Sequence, residues 1–273
     1  MLQIPFVKAH GAKNDFLLTW SHDLPSTRID MRAAARAICH RNTGIGADGW
    51  LIVSKSDLDD GAIRLYNADG SDSEISGNGT RCAAALLIES GVAKGPQVKI
   101  LTGAGIKHLE LKNRDENTFL FEMNMGAATI EQLHHSLPLR RDVGPVTILN
   151  VGNPQCVVFV NPEDQFPNDW ETIGAEIERH QYFPNRTNVS FVRPTGSDTL
   201  DVLFFERGVG VTQSSGTGST GAAAAAVARG LVRSPVSVET PAGTLKLSWK
   251  ADDIYLTGPA EIIGRGEYSL QIA

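Results

Sequence analysis

Ser76-Gly77-Asn78-Gly79-Thr80-Arg81-Cys82-Ala83-Ala84-Ala85 and Ser215-Gly216-Thr217-Gly218-Ser219-Thr220-Gly221-Ala222-Ala223-Ala224 are two versions of one pattern. Each opens on a serine, continues with two alternating glycines and runs into small apolar residues. The two serines stand 139 positions apart, about half of the 273-residue chain. The same offset pairs Asn14 with Asn153, Asn67 with Glu206 and Gly91 with Gly230. One unit used twice accounts for this more economically than chance.

Glycines followed by an alanine-rich run predict a tight turn opening into a helix. The free N–H groups and positive dipole end of such a helix attract an anion, for example a carboxylate. Two such helices related by a pseudo-dyad would share one carboxylate and set Ser76 and Ser215 on opposite sides of the attached carbon. That arrangement suits inversion of a stereocentre, in which one group removes the α-proton and another returns one from the opposite face. The plainer reading makes both serines ordinary N-caps. For a single serine the plain reading is the better one; the repeat shifts the balance.

Further segments carry a resemblance: Lys8-x-His10-Gly11-x-x-Asn14-Asp15-Phe16, Gly44-Ile45-Gly46-Ala47-Asp48-Gly49, Tyr66-Asn67-Ala68-Asp69-Gly70-Ser71, Gly77-Asn78-Gly79-x-Arg81-Cys82, Val151-Gly152-Asn153-Pro154, Arg186-Thr187-Asn188-Val189, Glu206-Arg207-Gly208-Val209-Gly210-x-Thr212 and Gly216-Thr217-Gly218. In that order they resemble the diaminopimelate epimerases, cofactor-independent enzymes of the lysine and cell-wall pathway. The resemblance implies an apolar central helix wrapped by strands in each half. It also implies no cofactor, and substrate-binding residues at Asn14, Asn67, Gly77, Asn78, Asn153, Asn188, Glu206, Arg207, Gly216 and Thr217. The backbones around Gly77-Asn78 and Gly216-Thr217 would hold the carboxylate at the reacting carbon. The asparagines and the Glu206-Arg207 pair would grip the distal amino-acid end. Arg207 suits a forked pair with a carboxylate, and Glu206 can accept from an ammonium. The plain alternative for Glu206-Arg207 is a surface salt bridge.

The departures from the family fall on the chemistry. Ser76 and Ser215 stand where the family has two catalytic cysteines, and Gln155 stands where it usually has a histidine. A thiol has a pKa near 8.5, and a helix N-terminus brings it towards neutrality. A hydroxyl starts nearer bulk water at about 15.7. At about 1.36 kcal/mol per pKa unit, that gap exceeds the ~2 kcal/mol a helix terminus supplies. A serine in this role therefore needs a neighbouring base. Gln155 cannot be one and is given a modulating place, which leaves Glu206 by family position, with His10 and His40 behind it. The catalytic set is thus Ser76, Ser215 and Glu206. Cys82 and Cys156 have counterparts in the family's other motifs and do not replace the missing thiols.

Bulk properties agree with an enzyme of small molecules. The net charge is −6 and no basic run stands out, which argues against nucleic acid and anionic membranes as partners. A hydrophobic content of 41% is ordinary for a globular protein. Cys39, Cys82 and Cys156 are too few and too scattered for a disulfide framework, which with the lack of a signal-like or bilayer-spanning run predicts a cytoplasmic protein with reduced thiols. No spacing suggests a metal site. The glycine-rich Gly44–Gly49 lacks the lysine of a phosphate loop, so a conformational role is expected. A small amino acid is the expected partner, and a homodimer is left open.

Along the chain, strands are expected at 3–8 and 15–20 around a His10–Asn14 turn. A helix over Ile29–His40 is expected to turn Ile29, Ala33, Ala37 and Ile38 inward. Strands follow at 51–53 and 63–67, and then the first central helix at 77–90. Residues 98–123 read as strands broken at Gly103, Gly105 and a polar Asn113–Asn117 turn, and 126–142 as a crossing segment. The second half repeats the order: strands at 146–151 and 156–160, a helix at 170–180, a strand at 200–205 and a helix at 216–230. Short strands then run from Ser237 to Ile272, with turns at Gly243, Asp252-Asp253 and Gly264.

The expected fold is α/β (α+β), with two pseudo-symmetric lobes, 1–124 plus 264–273 and 125–263, and a cleft between them. The expected activity is an amino-acid epimerase or racemase acting on diaminopimelate or a relative. Two alternatives stand beside it. One is an isomerase or dehydratase of related scaffold acting on another small carboxylate. The other is a non-catalytic amino-acid-binding homologue, or an epimerase whose cysteines have been exchanged for serine to trap substrate.

Overall fold

The computed structural model describes residues 2–25, 29–56 and 58–271. Strands and four α-helices make a mixed α+β fold, and the chain divides into two compact units, Met1–Met123 with Gly258–Ala273, and Asn124–Thr257. No helix among the described residues is long and apolar enough to cross a membrane.

In the first unit, β1 (Leu2–Gly11) and β2 (Asn14–Trp20) form a hairpin, followed by α1 (Met31–Cys39), β3 (Gly49–Ser54), β4 (Gly61–Asn67) and the short β5 (Asp72–Ser73). Then come α2 (Gly77–Glu89), β6 (Gln97–Thr102), β7 (Gly105–Asp115) and β8 (Thr118–Gly126), the last running on into the second unit. There β9 (Thr129–His135), β10 (Val146–Asn150) and β11 (Pro154–Phe159) lead to α3 (Trp170–Glu178), β12 (Asn188–Pro194), β13 (Thr199–Glu206) and β14 (Gly210–Thr212). The chain closes with α4 (Gly216–Ala228), β15 (Val236–Thr240), β16 (Gly243–Lys250) and β17 (Asp253–Leu270), which begins in the second unit and ends in the first.

The repeat is written into the element boundaries. Adding 139 to α1 gives 170–178, the span of α3, and adding it to α2 gives 216–228, the span of α4. Parallel pairing recurs in the same places: β2 with β3 and β4 with β6 in the first unit, β11 with β12 and β13 with β15 in the second. The remaining pairs within each unit are antiparallel.

The central helices follow from composition. Eleven consecutive residues of α2, Gly77–Leu87, are buried, and α2 packs against β1, β2, β3, β4 and β6. α4 packs against β9 to β13, β15 and β16, and Ala222–Ala226 are all buried. Alanine keeps helix propensity high while letting strands approach a helix on every side. Both helices end on a left-handed glycine, Gly91 at φ 72° and Gly230 at φ 71°, whose N–H groups bond back to Ile88 and Val227 carbonyls. A further apolar cluster joins strands to a helix in each unit. Ile4, Leu17, Trp50 and Tyr66 pack with Ala34, Ala35 and Ile38 of α1, and Val146, Ile148, Val158 and Phe191 pack with Ile173 and Ile177 of α3.

Several local expectations need correction. The first turn is tighter than His10–Asn14: Gly11 pairs with Asn14, and only Ala12 and Lys13 turn, at φ 49° and 57°. Ala33 faces solvent, because Asp30 caps α1 and sets its register so that Ala34, Ala35, Ile38 and Cys39 point inward. Asn113–Asp115 continue β7 as exposed strand residues, leaving Glu116-Asn117 as the turn. The 126–142 segment contains β9, whose mostly exposed side chains give no apolar alternation. Gly264 does not turn the chain; it lies beside a register shift in β17, opposite Lys8 and Ala9. Ala251-Asp252 make the preceding turn, with Asp253 already in β17. Ile272, the expected end of the last strand, lies outside the described residues.

The central helices leave no room for growth. Ala225→Leu, at a fully buried position of α4, is expected to lower stability by about 1–3 kcal/mol. Ala228→Leu, at the exposed end of the same helix, is expected to change it by less than about 0.5 kcal/mol. Urea unfolding midpoints of the two variants check this.

Candidate active site

Both serines cap their helices. Ser76 at φ −129° and Ser215 at φ −139° have the extended backbone of an N-cap residue. Ser76 Oγ accepts the Gly79 N–H at 3.1 Å, and Ser215 Oγ accepts the Gly218 N–H at 3.0 Å. The space is tight at both glycines and closed at Gly218. A Cβ at Gly218 would lie 2.8 Å from the Phe204 ring and 2.9 Å from Ser215 Oγ; one at Gly79 would press on Leu51 and Ser76 at 3.3 Å. The Thr80 and Ser219 amides bond to the cap carbonyls. The first amides of each helix, Gly77-Asn78 and Gly216-Thr217, have no intrahelical acceptor and form the anion-attracting ends that the sequence predicts.

In the first unit a chain of hydrogen bonds fixes these groups. Asn78, 1% exposed, donates from Nδ2 to Asn14 Oδ1 at 3.1 Å, and Asn14 Nδ2 donates to Asp48 Oδ2 at 2.7 Å. Asp48 and Asp15 are both held by Arg41, and Lys8 adds an ion pair to Asp15 at 3.1 Å. Burial raises the Asp15 carboxyl, but its bonds and charge interactions with Arg41 and Lys8 outweigh that and hold it below its ordinary value of 3.8. From the other side, Arg81 donates from Nη2 to Asn78 Oδ1 at 2.5 Å, from Nη1 to Gly77 O at 3.2 Å and from Nε to Pro259 O at 3.1 Å. Arg81 is wholly buried, and desolvation pulls its guanidinium down to about 10. Its acceptors are neutral oxygens, two at the start of α2 and the third on Pro259 of β17, so a buried cation lies beside the first turn of this helix.

The second unit repeats the frame with different chemistry. Asn153 Nδ2 donates to Thr217 Oγ1 at 3.3 Å, the counterpart of the Asn14–Asn78 contact. Gln155, fully buried, donates from Nε2 to Asn153 Oδ1 at 2.7 Å and so fixes which way that amide faces. Its Oε1 is buried with no partner. Asn188 donates to Pro154 O at 3.0 Å and accepts the Arg207 N–H at 3.1 Å. Ser215 Oγ donates to Glu206 Oε1 at 2.5 Å, so the capping hydroxyl is bound to a carboxylate. Thr220, the counterpart of Arg81, donates its hydroxyl to Gly216 O at 2.8 Å.

The structure therefore brings together Asn14 with Asn78, Asn153 with Thr217 and Gln155, and Ser215 with Glu206. Asn67 instead bonds to Ser71 Oγ at 3.0 Å, and the exposed Arg207 side chain reaches Asn185 O. His40 accepts the Asn42 and Thr43 N–H groups beyond α1, and His10 lies 3.4 Å from Glu261. Neither hydrogen-bonds to a capping serine. All three cysteines are buried, and burial drives the Cys39 and Cys82 thiols up to about 12 and raises that of Cys156 as well. Among the described residues no group of three or more His, Cys, Asp or Glu side chains could hold a metal ion. Sequence reasoning quoted Arg81 within a motif but gave it no place in the site. Its signal was an arginine inside an otherwise apolar helix, where a charge must find partners.

The fold is shared with solved racemase and phenazine-biosynthesis structures. A probable proline racemase from Agrobacterium radiobacter superimposes with a TM-score of 0.75 at 15% identity, covering 99% of this chain and 93% of that one. A PhzF-family phenazine biosynthesis protein from Bacillus anthracis gives 0.73 at 18% identity, covering 99% and 100%. The mixed α+β fold of this chain is thus a recurring one. Within it the assignment is narrower. The profile of the diaminopimelate epimerase family matches residues 6–131 and 147–263, and the diaminopimelate epimerase of Moorella thermoacetica is 36% identical over 283 residues, 97% of this chain and 99% of that protein. The chain belongs to the diaminopimelate epimerase family.

Two measurements probe this frame. Arg81→Leu removes three hydrogen bonds and strands two buried acceptors, on Gly77 and Asn78, at about 1–3 kcal/mol each, so a loss of roughly 2 kcal/mol or more is expected in urea unfolding. Asp15 has a depressed folded-state pKa, so its stabilisation is complete above its ordinary value and is lost as pH falls through the folded value. The stability difference between wild type and Asp15→Asn is therefore expected to be widest near neutrality and to shrink below about pH 4.

Proposed function

We propose that the protein is a cofactor-independent amino-acid epimerase acting on diaminopimelate or a closely related diamino dicarboxylate, with Ser76 and Ser215 in the acid/base positions. The observation that carries the reading is the 2.5 Å hydrogen bond from Ser215 to Glu206, which supplies the base that a hydroxyl needs. Family membership and a full-length relative named diaminopimelate epimerase support the substrate class. In each unit a substrate carboxylate would find helix-start amides, those of Gly77-Asn78 or those of Gly216-Thr217, which stabilise the negative charge that grows on it as the α-proton leaves. Asn14, Asn67, Asn153, Asn188, Glu206 and Arg207 would hold the distal end, and Gln155 would modulate by orienting Asn153. Pyridoxal phosphate is not needed in this scheme. A cytoplasmic location and a place in lysine and cell-wall synthesis belong to the same reading, and a homodimer fits it.

Glu206 matters because no free alkoxide need form. When the carboxylate takes the hydroxyl proton as the oxygen takes the α-proton, the pKa gap between serine and cysteine is bypassed at Ser215. Ser76→Cys/Ser215→Cys is expected to raise the conversion of LL- to meso-diaminopimelate by about 100-fold or more, the scale of general acid–base catalysis. Chiral chromatography of the product reads this out, and no gain in the double variant counts against the assignment.

A further inference from the structure

The turn that follows Glu206 is held by a carboxylate from another element. Arg207, Gly208 and Val209 are exposed, and Gly208 and Gly210 take φ 76° and 92°, so neither packing nor backbone stiffness fixes this turn. Hydrogen bonds do. The Arg207 N–H donates to Asn188 Oδ1 at 3.1 Å, the Gly208 N–H to Glu178 Oε1 at 3.1 Å, and the Val209 N–H to Glu206 O at 3.1 Å. Glu178, 2% exposed, is the last residue of α3. Arg186 Nη1 donates to its Oε1 at 3.2 Å and Arg179 Nε to its Oε2 at 3.1 Å, so a carboxylate that would be costly to bury alone is paired on both oxygens. α3 gives it a firm base. Ile173 and Ile177 lie in the core, and a Cβ at Gly174 would meet the side chain of Phe205, the residue before Glu206, at 2.9 Å. The clamp is peculiar to the second unit. At the 139-residue offset Glu178, Arg186 and Gly208 correspond to Cys39, Ala47 and Asp69, which cannot form it, and the corresponding turn follows Asn67 in place of Glu206.

We infer that Glu178 is a positioning residue for catalysis: it sets this turn so that the Glu206 carboxylate meets the Ser215 hydroxyl. The inference rests on the reading of Glu206 as the base for Ser215 and deepens it. The 2.5 Å bond between them tolerates little displacement, and a misplacement of about 1 Å costs about 100-fold in rate. The anchored N–H belongs to the second residue after Glu206, so slack at Gly208 reaches the base directly. Glu178→Gln introduces that slack with almost no change of shape. The amide offers one oxygen where two are bonded, and its NH2 group meets a donor whichever way it turns. A clamp that only kept the fold together would matter equally whatever side chain stood at 215. A clamp that places a base matters only while residue 215 needs one.

That difference is the test. Conversion of LL- to meso-diaminopimelate is followed by chiral chromatography in two parent chains, the native one and Ser215→Cys, whose thiol, with a pKa near 8.5, needs no carboxylate to take its proton. Glu178→Gln is expected to lower kcat by about 10- to 100-fold in the native chain. In the Ser215→Cys chain it is expected to lower kcat by less than about threefold, the effect of a change at an independent site. Glu178→Asp keeps the charge on a shorter stem and is expected to show the same contrast with a smaller loss. Circular dichroism checks the folding of each variant, and if Glu178→Gln does not fold, the comparison of the two parents with Glu178→Asp decides. Equal losses in both parents would overturn the inference and leave the epimerase reading standing. Absence of conversion from either parent would overturn both.

Discussion

The bond from a serine hydroxyl to the amide three residues on, made once in each unit, is the contact around which the rest is arranged. It fixes the first turn of α2 and of α4, leaves no space for a side chain at position 218 and little at 79, and leaves two further amides of each helix without an intrahelical acceptor. Alanine at 83–85 and 222–226 lets the wrapping strands approach those helices closely, while Arg81, Leu86 and Leu87 fill the wider spaces around α2. Composition, cap and sheet are therefore one requirement met at successive positions. Its exact recurrence at 139 residues explains why paired elements share both length and pairing direction.

How much of this is legible in the sequence depends on how local each cause is. The central helices, the glycine ends at 91 and 230 and the serine caps show themselves because cap, glycine and alanine run lie within fifteen or so residues. The hairpin of Ala12 and Lys13 does not, since two non-glycine residues with positive φ carry no composition signal. β9 is hidden for the opposite reason: its mostly exposed side chains leave polar residues where alternation would betray a strand. Ala33 was misplaced because helical spacing alone fits more than one face, and Asp30 decides which. Within the site, the asparagine pairs follow from the repeat and Glu206 from the resemblance. Arg81 and Pro259 are 178 residues apart, and only the folded chain shows that one satisfies the other.

The two halves keep one backbone while dividing the chemistry. The first unit has a buried guanidinium and a relay of amides and carboxylates running from Arg81 through Asn78 and Asn14 to Asp48. The second has a carboxylate on its serine, and a glutamine behind its asparagine with a carbonyl oxygen left unbonded. Even packing is redistributed: Phe16 and Cys82 in one unit become Gln155 and Gly221 in the other, where the glutamine stem occupies the space a Cβ at Gly221 would need. Duplication preserves shape because backbone geometry is shared. It leaves each side chain free to diverge wherever a neighbour compensates.

The three buried thiols carry a consequence for redox behaviour. A catalyst built on thiolates is vulnerable to peroxide, alkylating agents and soft metals, since the reactive form is also the damaged one. Here hydroxyls cap the helix starts, and Cys39, Cys82 and Cys156 lie inside the core with their protons held tightly. Oxidants in solution therefore meet no thiol at either helix start, and the sulfur of this chain's cysteines is shielded by its own core.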